Sequence, residues 1–184
     1  MKVFTAASLV ALLSSTALGA PPPPSWNTAK RQSDPSVAAV ENAINSWNFD
    51  VDTVNNFLNH APGQSGSQLQ HAARVALAAA QNEPTQLGVL ASISDFSNDQ
   101  QYQGAVLNLQ EVFGNVPSSL QNIIDDPSDA GRVSTQLLQI NNVRCCNVLP
   151  DLDILWQDAA DDYGISNIVN TAVPRPNACA TTDC

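Results

Sequence analysis

Residues 144–156 read RCCNVLPDLDILW, so two adjacent cysteines lead directly into an amphipathic segment. A disulfide between neighbouring residues would close a small strained ring. We therefore expect Cys145 and Cys146 to pair with the other two cysteines, Cys179 and Cys184. Two pairings remain open: Cys145–Cys179 with Cys146–Cys184, or Cys145–Cys184 with Cys146–Cys179. Either one would hold the C-terminal tail against the intervening helix, and each bridge would contribute about 3–4 kcal/mol by restricting the unfolded chain.

The N-terminal segment carries signals for secretion and processing. A positive charge, an apolar run and a small-residue ending are typical of a secretory signal peptide, which we assign to residues 1–19. A Pro-rich propeptide follows at 20–31 and ends in Lys30-Arg31, a pair that resembles the dibasic sites cut by kexin-type proteases. We therefore predict a mature helical domain over residues 32–184 and a secreted protein, either extracellular or in a cell wall.

The charge of the predicted mature chain argues against two classes of partner. Removal of residues 1–31 leaves four arginines, no lysine and 17 carboxylates, which gives a formal net charge of 4 − 17 = −13. Nucleic acids and anionic membrane surfaces are bound mainly through Lys and Arg, so we expect neither as a partner. We also predict no integral membrane segment, and four cysteines on a secretory route indicate disulfides rather than metal or redox chemistry.

The apolar pattern after the propeptide predicts helices almost throughout, with polar caps and prolines marking their ends. Asp34-Pro35 is expected to begin the first helix and Asp50 the second. An Ala-rich segment over 68–81 has no clear polar face and is therefore predicted to be buried. Pro84 is expected to break or kink that segment.

The second half of the chain repeats the same signals. Helix starts are predicted at Asn98 or Asp99, at Pro117, at Asp126-Pro127 and at Pro150. No stretch shows the sustained alternation, bounded by turns, that is typical of strands. We therefore predict an all-α, single-domain bundle of about seven helices with a disulfide-stapled C-terminal tail.

The last predicted helix carries the sharpest candidate for chemistry. At 100° per residue, Asp151, Asp158 and Asp162 form one stripe along it. Such a stripe would suit a weak divalent-cation site or an acid pair for catalysis. The spacing fits no EF-hand loop, however, and we favour the simpler interpretation of a solvated helix face partnered by Arg144 or Arg175.

The other residues able to carry chemistry are scattered. His60 is predicted at the end of a helix, where the helix dipole favours its charged form, and His71 lies in the Ala-rich helix. The stretch 63–67, GQSGS, resembles a nucleophile elbow, but it ends in Ser67 rather than Gly and no strand is predicted before it. We therefore predict a protein that is not an enzyme, with no catalytic residues, no cofactor and no metal ligands.

Ile154 occupies an unexpected position in the last helix. The inward residues of that helix include Leu152, Leu155 and Trp156, and 100° steps place Ile154 outside their arc. Because the disulfides must draw the tail back toward the start of this helix, we predict that the segment 168–176 covers Ile154.

The overall organisation resembles that of small secreted proteins of filamentous fungi. It combines a signal peptide, a short propeptide ending in Lys-Arg, helices rich in Ala, Asn, Gln and Asp, an adjacent cysteine pair and a terminal cysteine. Cell-wall proteins, conidial-surface proteins and effectors are of this kind, and fungal wall proteins that bind hydrophobic surfaces or lipids are similar in size and composition. The resemblance implies a role at a fungal surface or in virulence, and it assigns no functional residues.

Three functions fit these observations, in decreasing order of preference. The first is a non-catalytic secreted fungal protein of the cell wall or spore surface, which contacts a wall component or a host protein or masks the surface. The second is a carrier that binds a fatty acid, a sterol or another hydrophobic small molecule between helices. The third is an unrecognised hydrolase, which would need a polar cluster converging in a cleft.

Overall fold

The computed structural model describes residues 34–184, which lie in one compact unit. The predicted signal peptide, the propeptide with Lys30-Arg31 and the predicted start at Gln32 lie outside the described residues. Every regular element within the described range is helical, which confirms the all-α class and the single domain. None of these helices combines the length and the apolar character needed to cross a membrane.

Six α-helices form the framework of residues 34–184. Their bounds are α1 Val37–His60, α2 Gly66–Leu90, α3 Gln100–Val112, α4 Asn115–Asp125, α5 Ala130–Val143 and α6 Leu149–Asp162. The shorter elements are 3-10 turns at Ala61–Gly63, Ser94–Asn98 and Asn177–Ala180 and a π-helical turn at Arg144–Val148. The predicted count of about seven helices is therefore wrong, because some predicted boundaries lie inside continuous helices.

α1 is one uninterrupted helix that passes through Asp50. The Ser36 hydroxyl caps it by accepting from the Ala39 amide at 3.2 Å, so the predicted cap at Asp34 is wrong. Asp50 does not cap a second helix either. It is 5% exposed, and its carboxylate accepts from the side chain of Asn82 on α2 at 2.8 Å. A partner on another helix therefore explains why this aspartate lies mid-helix.

α2 continues through Pro84 without a break. The helix keeps one buried face on both sides of the proline: Leu69, Ala73, Ala76, Ala80, Leu87 and Leu90. An interior proline costs about 3 kcal/mol, but most helix stability in proteins comes from packing of the apolar face. Because this face packs against α1 and α4, the predicted break at Pro84 does not occur.

The later helices show two further differences from the prediction. Asp99 caps α3 as predicted, whereas α5 is capped by Asp129 rather than by Asp126. Pro150 lies in the first turn of α6, but it does not follow a loop, because the π turn Arg144–Val148 joins α5 directly to α6. A π turn contains more residues per turn than an α-helix, so it shifts the register of the face that follows.

The core consists of two adjoining clusters. In the first, Trp47 of α1 packs against Trp156 of α6 and Phe113 at the end of α3, with ring centroids 6.2 and 5.9 Å apart. In the second, small side chains of α2 such as Ala73 and Ala76 meet larger residues of α4 and α5. The small side chains let these helices approach closely. The prediction that the whole segment 68–81 is buried is wrong, because Val75 is 50% exposed and only one face of α2 lies in the core.

Both disulfides fix the C-terminal tail to the helical body. Cys145 pairs with Cys179 and Cys146 with Cys184, and the paired Cα atoms are 5.2 and 5.3 Å apart. This is the first of the two pairings that the sequence left open. Each bridge closes a long loop, which is the arrangement that restricts the unfolded chain most.

The tail lies beside Ile154 of α6. Ile154 is partly buried and packs against a core cluster that contains Val169 and Val173 from the tail. Arg175 adds an ion pair to Asp153, the residue before Ile154. These contacts agree with the predicted docking of the tail against this part of α6.

Candidate functional site

A half-open groove runs along α5 on the side that faces the connection between α1 and α2. We call it the α5 groove, and its volume is about 390 Å³. Its main lining residues are Gln64, Leu69, Val133, Ser134, Leu137, Leu138 and Asn141. A mostly apolar lining with a few polar groups is the usual composition of a small-molecule site.

Hydrogen bonds between distant segments fix the walls of the α5 groove. Gly66, the first residue of α2, has a φ of +55°, a conformation that a residue with a Cβ adopts only at a cost. Its amide donates to the carbonyl of Pro127 at 3.2 Å. The side chain of Gln70 donates to the carbonyl of Ile124 at 2.7 Å. The two bonds tie the start of α2 to the α4–α5 connection and to the end of α4, so the two sides of the groove are held together.

Two side-chain amides of the groove have an unmet acceptor. The Oε1 of Gln64 and the Oδ1 of Asn141 are buried and accept no hydrogen bond. A buried acceptor without a donor costs about 1–3 kcal/mol. Both residues line the groove. The amide group of each can rotate about the C–C bond that joins it to the rest of the side chain. Each oxygen is shielded from solvent, so its amide would have to rotate before a ligand hydroxyl or amide in the groove could donate to it.

A second groove adjoins the first and lies between α5 and the C-terminal tail of the chain. We call it the polar groove; its volume is about 600 Å³, and it shares Leu138 and Asn141 with the α5 groove. Its polar lining residues are Thr135, Gln139, Asn141, Asn142, Thr181, Thr182 and Asp183. The Cys146–Cys184 bridge fixes the tail side of this groove. The two grooves therefore meet on α5 and differ in chemistry.

A closed network of polar side chains lies in the core between α1, α2 and the π turn. Arg144 is 1% exposed and donates to Glu83 Oε1 at 3.0 Å and to Asn55 Oδ1 at 3.3 Å. Trp47 Nε1 donates to the other Glu83 oxygen at 3.2 Å. Asn55 in turn donates to the carbonyl of Pro174 in the tail at 2.9 Å. Since solvent does not reach this network, we assign it to positioning the helices and the tail.

The predicted acidic stripe is spread along α6 and is not gathered into a cation site within residues 34–184. Asp151 accepts from the Asn108 side chain on α3 at 2.6 Å, and burial raises the pKa of Asp151. Burial also raises the pKa of Asp158, and two nearby carboxylates add to the effect. Asp162 is exposed. The three carboxyl groups therefore have separate surroundings.

Neither arginine predicted to pair with this stripe forms an ion pair with one of its three aspartates. Arg175 pairs with Asp153, which is on α6 but outside the stripe. Arg144 pairs with the buried Glu83 of α2, so its predicted role beside the stripe is wrong. The π turn explains the difference, because it places Arg144 in the core.

The histidines and the elbow-like stretch are not brought together. His60 and His71 are exposed, and neither lines the α5 groove or the polar groove. His60 Nδ1 lies 2.8 Å from the carbonyl of Asn56 one turn earlier. Ser65 of the stretch 63–67 does line the α5 groove, but that lining contains no histidine and no carboxylate that would accept its proton. The groove therefore offers binding chemistry rather than a nucleophile and its base.

Sequence reasoning missed the residues of this site. It considered Gln64 only within the elbow-like stretch and did not single out Leu138 or Asn141. One available signal was Leu138, which lies next to the buried Leu137 and is 71% exposed. The groove itself was not predictable, because its walls come from segments that meet only after folding.

Comparisons with known proteins returned no match. No protein-family model, no curated protein and no solved structure is similar to this chain at a significant level. The functional inference therefore rests on the sequence and on the geometry and chemistry of residues 34–184.

Proposed function

We propose that the mature protein is a non-catalytic secreted protein of a fungal cell wall or spore surface that binds a small amphipathic molecule in the α5 groove. The secreted location is supported by the signal-peptide pattern and by two disulfides that tie the tail to the body. The fungal surface is supported by the resemblance in organisation. Ligand binding is supported by the groove.

The observation that carries the binding function is the pair of unmet acceptors, Gln64 Oε1 and Asn141 Oδ1, in a mainly apolar cleft. Buried polar groups in native structures are nearly always hydrogen-bonded, and of the five buried side-chain atoms without a partner in residues 34–184 these two line the α5 groove. A bound molecule with a hydroxyl or amide donor would explain both. Its apolar part would cover Val133 and Leu137, and burial of apolar area stabilises by about 25 cal/mol per Å².

The size of the groove limits the ligand. A volume of about 390 Å³ lies at the lower end of the range of about 300–1,000 Å³ that small-molecule sites occupy. The groove therefore suits one compact apolar body, such as a sterol or a short acyl chain. A host protein or a wall polymer would have to engage a larger area of the surface.

Binding can be tested with the secreted protein and one blocking variant. Ser134 is exposed at the groove, so Ser134→Trp fills the groove without disturbing the core. Ser46→Trp, at an exposed position of α1 away from the groove, is the matched control. We expect a neutral solvatochromic dye such as Nile red to bind the natural chain and Ser46→Trp, and to bind Ser134→Trp at least about tenfold more weakly.

The natural ligand and the location require a second experiment. The native protein would be purified from spores, wall fractions and culture fluid, and organic extracts of each would be analysed by mass spectrometry. We expect a stoichiometric apolar compound in the wall or spore fraction. Equal dye binding by all three proteins, together with ligand-free native protein, would refute binding in the α5 groove.

A further inference from the structure

We propose that the α5 groove and the polar groove act as one two-part site, whose ligand is an uncharged amphiphile with a polyhydroxylated head group. This inference rests on the proposed function and adds the chemical class of the ligand. The apolar body would lie in the α5 groove, and the hydroxyl groups would lie in the polar groove.

The two grooves adjoin on the surface of α5. Both are lined by Leu138 and Asn141, which are three residues apart and therefore face the same side of the helix. Leu138 is 71% exposed although Leu137 and Ile140 beside it are buried. Leu138 therefore offers an apolar surface at the border of the two grooves, where the apolar part of a bound amphiphile would meet its head group.

The polar groove has the chemistry that recognises hydroxyl groups. Its side-chain amides come from Gln139 and Asn142, its hydroxyls from Thr135 and Thr181, and its carboxylate from Asp183. The amides both donate and accept, as the hydroxyl groups of a sugar or polyol do, whereas the hydroxyls of Thr135 and Thr181 donate to the carbonyls of Gly131 and Ala178 and offer a ligand an acceptor. A ligand with several hydroxyl groups can therefore pair with most of these side chains at once, whereas a single alcohol cannot.

The charges around the site exclude an anionic head group. Neither groove is lined by a lysine, an arginine or a histidine, and Asp183 places a negative charge in the polar groove. The predicted mature chain also has a formal net charge of −13. A carboxylate or phosphate head would thus meet repulsion with no compensating cation. Asp183 is the lone charged group in the two linings. A cationic head group would pair with Asp183 and leave the amides and hydroxyls of the groove without hydrogen-bond partners from the ligand.

Only the polar groove depends on the Cys146–Cys184 disulfide. Thr181, Thr182 and Asp183 follow the last turn of the tail, and the Cys146–Cys184 bridge holds this end of the chain beside α5. The lining of the α5 groove contains no residue of the tail. Loss of this bridge should therefore weaken the binding of the head group and leave the binding of the apolar body unchanged.

The test compares four probes with the same octyl chain at concentrations below micelle formation: octyl glucoside, 1-octanol, octanoate and octyltrimethylammonium. Dissociation constants would be measured at pH 7 by ligand-observed NMR on the oxidised protein. We expect the glucoside to bind about tenfold or more tightly than octanol, since two added hydrogen bonds have about this effect. We expect octanoate to bind more weakly than octanol.

Two variants assign the effect to the polar groove. Cys146→Ser/Cys184→Ser should lower the affinity for the glucoside toward that for octanol, because Thr181 and Asp183 are no longer held beside α5. Asn142→Ala, at an exposed position, should lower the affinity for the glucoside several-fold with no change for octanol, and it keeps the test valid if the cysteine variant does not fold. Leu107→Ala on α3, away from both grooves, is the control and should change neither affinity.

The outcomes distinguish this inference from the proposed function. Equal affinity for the glucoside and octanol would overturn the two-part site and leave ligand binding in the α5 groove intact. Tightest binding of octanoate or of the trimethylammonium probe would overturn the assignment of an uncharged polyol head. If none of the four probes binds, both the two-part site and the proposed function fail.

Discussion

Arg144 and Glu83 form an ion pair of 3.0 Å with side chains only 1% and 2% exposed, although 61 residues separate them in the chain. Arg144 is the first residue of the π turn between α5 and α6, and Glu83 directly precedes the proline inside α2. The pair therefore joins the π turn to the part of α2 that contains its interior proline. Through Asn55 the same network also reaches the C-terminal tail.

Removal of one partner of this pair should destabilise the protein strongly. Arg144→Met leaves the Glu83 carboxylate buried without its cation, and such changes cost about 3–5 kcal/mol. Urea denaturation of the oxidised protein measures the loss. The double variant Arg144→Met/Glu83→Leu removes both charges and should be more stable than Arg144→Met alone, since a buried ion pair and an apolar pair of similar volume differ little. A double variant less stable than Arg144→Met would contradict this account.

Pro84→Ala should stabilise the protein. The substitution restores a helix hydrogen bond and removes a steric conflict, together worth about 3 kcal/mol, while the unfolded chain regains about 1 kcal/mol of entropy. We therefore expect the free energy of unfolding to rise by about 2 kcal/mol. Pro117→Ala is the control, because Pro117 lies in the first turn of α4, where its missing amide hydrogen would have no helical partner. A loss of stability in Pro84→Ala would show that the proline-induced geometry is needed to position Glu83.

Ile154→Asp should destabilise the protein by about 1–2 kcal/mol, because the side chain is partly buried against the cluster that contains Val169 and Val173. Ile168→Asp is a matched control in the tail itself. Ile168 is 60% exposed, so its replacement should change the free energy of unfolding by no more than about 0.5 kcal/mol. Equal effects of the two variants in thermal unfolding would refute the docking of the tail through Val169 and Val173.

Stability should increase on mild acidification. Burial raises the pKa values of Asp50, Asp151 and Asp158 above their ordinary value of 3.8. The folded state therefore binds protons more readily than the unfolded state, and the free energy of unfolding rises as the pH falls from 7 through the raised pKa values. The gain is complete once the pH reaches about 3.8, where the unfolded carboxyls also protonate. Protonation also reduces the self-repulsion of a chain with a large negative charge.

The measurement is Tm by circular dichroism between pH 7 and pH 4.5, at constant ionic strength. We expect Tm to rise toward pH 4.5. Asp158→Asn should flatten this dependence, because it removes one of the three carboxyl groups whose pKa burial raises. Asp161 acts in the opposite direction, since hydrogen bonds from Ser166 and Gln157 lower its pKa, but its effect appears only as the pH falls through the ordinary value and below. A Tm that falls steadily over this range would contradict the prediction.

The sequence determined the properties that depend on neighbouring residues. Apolar spacing along each segment was enough to predict an all-α chain, because a helix places residues three and four apart on one face. Asp99 was recognisable as a cap because a cap bonds to amides two or three residues later. The adjacency of Cys145 and Cys146 was enough to direct both bridges to the tail, since neighbours rarely pair with each other.

The tertiary structure decided everything that depends on segments distant in the sequence. Asp50 has the signature of a cap, but Asn82 on another helix accounts for its place inside α1. Pro84 has the signature of a helix end, but packing on both sides of it keeps α2 continuous. Either cysteine pairing was compatible with the spacing, and the path of the tail across α1 and α6 selected one. The two grooves also exist only where α5 meets the α1–α2 connection and the tail, because a cleft is a relation between surfaces that no single segment contains.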